Sequence, residues 1–252
     1  MSDEEPAAET GAASDDHHDF WAEAVADEIE ARVVEQRETT DEASGEERPA
    51  SRNPDDPIVI KGGVSPSGVA HLGNVNEIMR GYFVAEVLRA RGHEVRQVFT
   101  SDDRDPLRKL PRKLADSDGN IVGLGEVDAG ALGRNLGKPY TDIPDPFGEA
   151  DSYAAHFAAL LAADAERLGV DIEMYSNTAL YEDGIFDPVV KRVLDRADTA
   201  REVLAEYQAK ADSDYVPFNP ICAECGKLTE TVTSVDLDAE TVDYVCTDME
   251  VG

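Results

Sequence analysis

One glycine-rich stretch, Gly62-Gly63-Val64-Ser65-Pro66-Ser67-Gly68-Val69-Ala70-His71-Leu72-Gly73-Asn74, constrains the fold of this chain more than any other feature. A β-branched run at 58–60 precedes it, and a segment with helical periodicity at 75–91 follows it. That order predicts a strand, a loop and a helix. Small residues let the backbone approach a ligand closely, and a helix N-terminus attracts anions. The glycine-rich loop (residues 62–74) is therefore predicted to bind phosphate.

The spacing of the loop excludes two common kinds of phosphate loop. It fits neither G-x-G-x-x-G nor G-x-x-x-x-G-K-[ST], and it contains no Lys. It does carry His71 and Asn74, which are three residues apart and share one face of the first helical turn. The alternatives are an ordinary helix-start histidine for His71 and an N-cap or first-turn residue for Asn74.

The pattern around the loop predicts alternating strands and helices. Strands are expected at 58–61, 94–100 and 171–176, and helices at 19–34, 75–91, 152–168 and 187–211. Residues 105–150 are rich in Pro and Gly and predict an insertion, in which 137–146 is too turn-prone for regular structure. A right-handed β-α-β crossover places the ends of its two strands on one rim. Ser101-Asp102-Asp103-Arg104-Asp105 is therefore expected beside the glycine-rich loop.

The charge balance restricts the partners of the chain. Among 252 residues, 54 are acidic and 23 basic, only seven of the basic ones are Lys, and the formal net charge is -31. This pattern is typical of a halophile's protein, because high salt screens the self-repulsion. It also argues against nonspecific nucleic-acid binding, which depends on Lys and Arg. One local basic run remains: Arg104, Arg108, Lys109, Arg112 and Lys113. It either contacts phosphate or is a solvent-exposed basic helix end that offsets the charge of the acidic surface.

Targeting and membrane signals are weak in this sequence. The N-terminus has no basic region followed by an apolar one, and the longest apolar run, 157–163, is too short to span a bilayer. Three cysteines do not form a disulfide framework. We expect a soluble, cytoplasmic protein with no membrane partner.

The three cysteines suggest a metal site. Cys222 and Cys225 form a Cys-x-x-Cys-Gly knuckle, and Cys246 follows after twenty intervening residues, near the spacing of a Cys₄ zinc ribbon. The expected fourth position holds Met249. A reduced pair without metal is the alternative; a redox pair fits less well, because the motif does not open a helix in a β-α-β unit.

The motif Pro-Ser-Gly-x-x-His-x-Gly-Asn resembles the HIGH signature of class I aminoacyl-tRNA synthetases, with Asn in place of the second His. The whole glycine-rich loop resembles that of the class I lysyl-tRNA synthetases of the archaeal type. Further matching segments follow in the same order as in that family: Phe20-Trp21-Ala22, Ser101 to Asp105 with Arg108-Lys109, Gly137-Lys138-Pro139 to Asp145-Pro146, Ser152-Tyr153 with His156-Phe157, and Pro217-Phe218-Asn219-Pro220 to Cys225-Gly226.

The resemblance implies an α/β fold. We expect a Rossmann-type class I synthetase catalytic domain with a parallel sheet, interrupted by an insertion and followed by an incomplete zinc-ribbon-like module. The expected organisation is a disordered acidic tail (1–18), an N-terminal helix and acidic linker (19–56), an incomplete catalytic domain (57–216) and a truncated zinc-binding module (217–252).

The resemblance also implies a lysine–tRNA ligase, with ATP, lysine and tRNA(Lys) as substrates, Mg²⁺, and Zn²⁺ at the cysteines. His71 and Asn74 would be the catalytic residues. The other implied roles are ATP binding by Pro66, Ser67, Gly68, His71, Gly73 and Asn74, and substrate binding by Gly63, Ser65, Asp102 and Asp103. The alternative for Asp102 and Asp103 is a loop acid that caps backbone N–H groups.

Two features of that family have no counterpart in the sequence: a Lys-Met-Ser-Lys-Ser-like loop and an anticodon-binding helical region. With the incomplete zinc site, this predicts the N-terminal part of a longer enzyme, which alone binds ATP weakly and does not aminoacylate. The competing hypotheses are a glutamyl-type synthetase, a small cytidylyltransferase, and a non-catalytic zinc-bearing interaction domain with a vestigial nucleotide loop.

Overall fold

The computed structural model describes residues 20–39, 56–207 and 215–246, which fall into two compact units divided after Asp56. The first unit contributes helix α1, Trp21–Thr39. The helix expected at 19–34 is confirmed and extends further. The predicted disordered tail and nearly all of the predicted acidic linker lie outside the described residues.

The second unit is built on a three-stranded parallel sheet. Its strands are β1 (Ile58–Val64), β2 (Val95–Ser101) and β5 (Glu173–Ser176), in the order β1-β2-β5. All three predicted strands are confirmed. Because the strands are parallel, the residues that follow them all emerge at one edge of the sheet.

Two helices pack on one face of this sheet. Helix α2 (Leu72–Ala90) joins β1 to β2, and helix α4 (Tyr153–Arg167) precedes β5. Ser152 caps α4 by accepting a hydrogen bond from the Ala155 N–H group. The buried core of this layer consists of Ile78, Phe99, Leu161, Ala165 and Val170. Alternate residues of β2, Val95, Gln97, Phe99 and Ser101, are buried on this face.

Residues 105–150 contain more regular structure than the sequence predicted. Strands β3 (Lys113–Ala115) and β4 (Ile121–Gly123) form an antiparallel hairpin, and helix α3 spans Ala129–Arg134. The expectation that 137–146 lacks regular structure was wrong over Tyr140–Asp142, a 3₁₀ turn in which the Asp142 N–H group donates to the Pro139 carbonyl.

The region after β5 also differs from the prediction. A short helix, α5 (Asn177–Glu182), follows the strand directly. The single helix predicted at 187–211 was wrong: α6 (Asp187–Asp195) and α7 (Ala197–Tyr207) are separated at Arg196, whose φ of -109° and ψ of 27° leave the helical region. No Gly or Pro marks this break in the sequence.

The last described segment is the cysteine knuckle followed by a hairpin of β6 (Val232–Asp236) and β7 (Thr241–Tyr244). None of the helices in the described part of the chain has the length and apolar content needed to cross a bilayer.

Candidate active site

A shallow cleft opens at the carboxyl edge of the sheet. The glycine-rich loop and the start of α2 form one wall, and apolar side chains of α4 and β5 form the other. No Asp, Glu, Lys or Arg occurs among these described lining residues: Val64, Ser65, Pro66, Ser67, Gly68, Val69, Ala70, His71, Asn74, Ser101, Phe157, Ala158, Leu161 and Met174.

His71 and Asn74 cap helix α2 reciprocally. His71 is the N-cap residue, and its Nδ1 atom accepts a hydrogen bond of 3.0 Å from the Gly73 N–H group. The Asn74 Oδ1 atom accepts a hydrogen bond of 2.9 Å from the His71 N–H group. The helix-capping alternative for both residues therefore holds, and both side chains still line the cleft.

This cap determines what the two side chains can offer a ligand. An Nδ1 atom that accepts a hydrogen bond carries no proton, so the neutral His71 ring bears its proton on Nε2. The Asn74 Oδ1 atom is already an acceptor, which leaves the Nδ2 donors. The cap thus uses the acceptors and leaves N–H donors, the groups that bind anions.

A Cβ atom on Gly73 would lie 2.8 Å from Cε1 of His71, so any larger residue there would displace the imidazole ring. The imidazole ring therefore rests directly on the Gly73 backbone. This close approach explains why a glycine occupies the first turn of a helix.

Helix α4 holds the middle of the loop. The Tyr153 hydroxyl donates a hydrogen bond of 2.9 Å to the Ser67 carbonyl. Burial raises the pKa of Tyr153, so the hydroxyl keeps the proton that it donates. Gly68 has a φ of +145°, a conformation that other residues rarely adopt.

A second compartment lies among the residues that follow β2 and β5. Unlike the cleft, it carries charged side chains, two carboxylates and one guanidinium group. Arg104 lies over the Tyr181 ring, 4.6 Å from its centroid. The lining residues are Asp102, Arg104, Asp105, Asn177, Tyr181, Tyr215, Pro217, Phe218, Asn219 and Leu228.

Asp102 is the acid at the end of β2 in this acidic compartment. Its Oδ1 atom accepts a hydrogen bond of 2.7 Å from Asn177 Nδ2. Burial, and then the charge of Asp105, raise the pKa of Asp102 above its ordinary value. A carboxylate that is costly to ionise is stabilised by an incoming cation.

The other predicted substrate residues lie in different places. Asp103 is buried and accepts a hydrogen bond of 2.8 Å from the Thr178 N–H group, so its side chain holds the start of α5 and lines neither compartment. Gly63 also lies outside both linings, and a Cβ there would lie 2.5 Å from Thr100 Oγ1. Ser65 lines the cleft and donates to Asp105, which connects the two compartments.

The three cysteines converge, as their spacing predicted. Their sulfur atoms lie within 4.8 Å of one another. The N–H groups of Cys225 and Glu224 lower the pKa of Cys222 to about 7, which favours the thiolate that binds metal. The Cys246 thiol donates hydrogen bonds to the sulfurs of Cys222 and Cys225, which raises the pKa of Cys246 to about 12.

Comparison with known proteins identifies the family. Residues 19–251 match the model of the family described as tRNA synthetases class I (K). The chain belongs to this family. Its relatives include a lysine–tRNA ligase of Haloarcula marismortui, 67% identical over 233 residues, and one of Natronomonas pharaonis, 64% identical over 233 residues. A lysine–tRNA ligase 1 of Methanosarcina acetivorans is 34% identical over 190 residues.

The match covers most of this chain but only part of each relative. It spans 92% of this chain and 39% of the two halophilic relatives, and 75% of this chain and 33% of the Methanosarcina protein. The chain therefore represents about two-fifths of the length of the halophilic relatives.

Two residues that line these compartments were not among the site residues predicted from the sequence. Asp105 lines the acidic compartment, whereas the neighbouring Asp103 does not. Ser101 lines the cleft at the end of β2. Their position after a predicted strand was visible in the sequence, but which side chain faces which compartment depends on the tertiary structure.

Proposed function

We propose that this chain carries the ATP and amino-acid sites of a class I lysine–tRNA ligase, which activates lysine as lysyl-adenylate and transfers it to tRNA(Lys). The observation that carries the proposal is the reciprocal cap of His71 and Asn74 on a cleft lined by the glycine-rich loop. The name of the relatives that are 64–67% identical supports lysine as the amino acid.

The uncharged cleft suits a nucleotide triphosphate. His71 Nε2 and Asn74 Nδ2 would donate hydrogen bonds to phosphate oxygens, and helix α2 presents its N-terminal dipole to the same charge. Pro66, Ser67, Gly68 and Gly73 would shape the backbone around the nucleotide. No carboxylate occurs in the described lining, so Mg²⁺ would enter as MgATP, bound to the triphosphate.

The acidic compartment suits a cationic amino acid. Asp102 and Asp105 supply carboxylates for an ammonium group, and the aromatic rings can pack against an aliphatic side chain. Ser65, which donates a hydrogen bond to Asp105, would position the amino acid at the entrance to the cleft. We retain Gly63 and Asp103 only as supports of this site, because they hold β1 against β2 and the start of α5.

Adjacent residues divide the two compartments: Ser101 lines the cleft and Asp102 lines the acidic compartment. A lysine held in the acidic compartment would direct its carboxylate toward the α-phosphate in the cleft. The carboxylate oxygen forms a bond to phosphorus as the bond to pyrophosphate breaks. The chain accelerates this step by positioning both substrates and stabilising negative charge.

The knuckle suits Zn²⁺. Sulfur atoms bound tetrahedrally at about 2.3 Å from zinc stand about 3.8 Å apart, and the Cys225 and Cys246 sulfurs are 3.6 Å apart. Cys222, Cys225 and Cys246 would be three of its ligands. Zinc would hold all three as thiolates and so fix the knuckle.

The basic run suits the phosphates of tRNA. Arg108, Lys109, Arg112 and Lys113 are exposed, and the Lys113 carbonyl oxygen lies 4.0 Å from the position of a Cβ atom on Gly68. The run therefore ends beside the glycine-rich loop, where the acceptor end of the tRNA would have to arrive. Arg104 is separate, since it packs on Tyr181 in the acidic compartment.

At the level of the whole chain we propose the domain limits stated above, with 57–216 as part of a Rossmann-type catalytic domain, 105–150 as its insertion and 217–252 as the zinc-binding module. Aminoacylation serves translation, so we place the protein in the cytoplasm.

A chimera tests this function. Residues 19–251 would replace the matched part of the Haloarcula marismortui relative, and ATP–pyrophosphate exchange would be measured in molar KCl with lysine or glutamate. We expect exchange with lysine only, lost in a His71→Ala chimera. Exchange with glutamate, or none in a folded chimera, would refute the proposal.

A further inference from the structure

Ser101 is a buried residue whose hydroxyl group lacks a hydrogen-bond partner in the described part of the chain. It is 4% exposed. A buried hydroxyl without a partner costs about 1–3 kcal/mol. Such a group is retained at a cost to stability, so a contact made only in a complex would explain it.

The position of Ser101 indicates where that contact lies. Ser101 ends β2, is paired in register with Val64, and lines the cleft together with His71 and Asn74. The only other unpartnered buried side-chain atom among the described residues, Gln97 Oε1, lies four residues earlier and does not line the cleft. The unpartnered hydroxyl therefore belongs to the ligand site.

The cleft itself determines the chemistry of the ligand atom. The polar groups that line it are hydroxyls, an amide and an imidazole, and the described lining contains no carboxylate that would favour a cation. The next residue, Asp102, faces the acidic compartment. A hydroxyl at this boundary is suited to donate to an anionic oxygen.

We propose that Ser101 is a phosphate-binding residue, whose Oγ–H group donates to a phosphate oxygen of the nucleotide at the boundary between the cleft and the acidic compartment. The proposal rests on the proposed function, which supplies the nucleotide. It adds a donor from the central strand to the donors of the helix cap.

The test uses Ser101→Ala in the full chain and measures two quantities with opposite expectations. Without ligand, the melting temperature should stay the same or rise, because an unsatisfied hydroxyl is removed. The ATP dissociation constant in molar KCl should rise by about tenfold to 150-fold, the effect of one hydrogen bond to a charged group. The dissociation constant for adenosine, which has no phosphate, should not change.

Ser152→Ala is the matched control, because Ser152 is also buried but its hydroxyl accepts a hydrogen bond as the cap of α4. This variant should melt at a lower temperature and bind ATP normally while folded. A Ser101→Ala chain that melts lower, binds ATP as well as wild type, or loses ATP and adenosine affinity equally would overturn the proposal. If wild type binds no ATP, the proposed function fails, and the Ser101 inference falls with it.

Discussion

At the scale of single residues, the His71 cap shows how a local bond can determine the chemistry of a site. The Gly73 N–H group selects the Nε2–H form of the ring, and the His71 N–H group selects the orientation of the Asn74 amide. A capping box is usually considered a stability device. Here it also decides which atoms remain to bind an anion.

Gly73→Ala should separate these two effects. The new Cβ atom would displace the ring from 2.8 Å, whereas Ala favours a helix by about 1 kcal/mol over Gly. We expect unchanged or higher stability, a mixture of His71 tautomers in ¹⁵N NMR spectra, and weaker ATP binding. Gly133→Ala in α3, where a Cβ meets nothing within 4 Å, is the control. A retained Nε2–H ring in Gly73→Ala would contradict the steric explanation.

Asp102 gives a pH prediction with a definite sign. Its folded-state pKa is raised above 3.8, so its contribution to stability is fully present below that value and is lost as the pH rises through the folded-state pKa. As the pH rises from 3.8 through the folded-state pKa, the unfolding free energy of wild type should fall relative to that of Asp102→Asn, which does not ionise. Paired denaturation curves in molar KCl measure the difference. A relative gain by wild type would show that the carboxylate is stabilised.

At the scale of elements, helix α4 supports the glycine-rich loop through Tyr153. Tyr153→Phe removes the hydrogen bond to the Ser67 carbonyl and should cost about 1 kcal/mol of unfolding free energy. ATP binding should also weaken, because the loop loses its anchor. Tyr175→Phe removes a hydroxyl that contacts Arg96 and Glu173, so ATP affinity should not change in this control. Equal ATP affinity in both variants would show that α4 does not position the loop.

The sequence predicted elements where the signals are local. The strand, loop, helix and strand from Ile58 to Ser101 followed from periodicity, and Ser152 and Gly169 marked the ends of α4. Strands β3 and β4 are three residues long, too short for a period to show. Likewise, the break at Arg196 has no local marker.

The site was predictable to the same extent. His71, Asn74 and the three cysteines followed from motifs, and the structure brings the cysteines together. Ser101 and Asp105 did not follow, because burial and the direction of a side chain at a strand end are properties of the packed sheet. For the same reason, the sequence could not show that Asp102 lines the acidic compartment whereas Asp103 does not.

At the scale of the whole molecule, the knuckle is joined to the acidic compartment. The Leu228 N–H group donates to the Gly137 carbonyl, and Pro217, Phe218 and Leu228 line the acidic compartment. We expect one zinc ion per chain by elemental analysis and less in Cys246→Ser. Chelation should weaken lysine binding while ATP affinity is kept. Unchanged lysine affinity in the zinc-free protein would show that the knuckle does not support lysine binding in the acidic compartment.

The net charge of -31 gives a second prediction for the whole molecule. The screening length falls from about 30 Å at 0.01 M salt to about 3 Å at 1 M. The melting temperature should therefore rise steeply with KCl and much less with an uncharged osmolyte. A melting temperature independent of KCl would show that self-repulsion is not what limits stability.

Equilibrium binding of ATP to wild type and His71→Ala, in molar KCl and below both melting temperatures, tests most directly whether the glycine-rich loop is the nucleotide site. Wild type should bind ATP weakly and saturably at one site, and His71→Ala about tenfold more weakly or worse, because it loses a donor to a charged phosphate. Equal affinity in the two folded proteins would contradict the assignment of residues 62–74 as the ATP site.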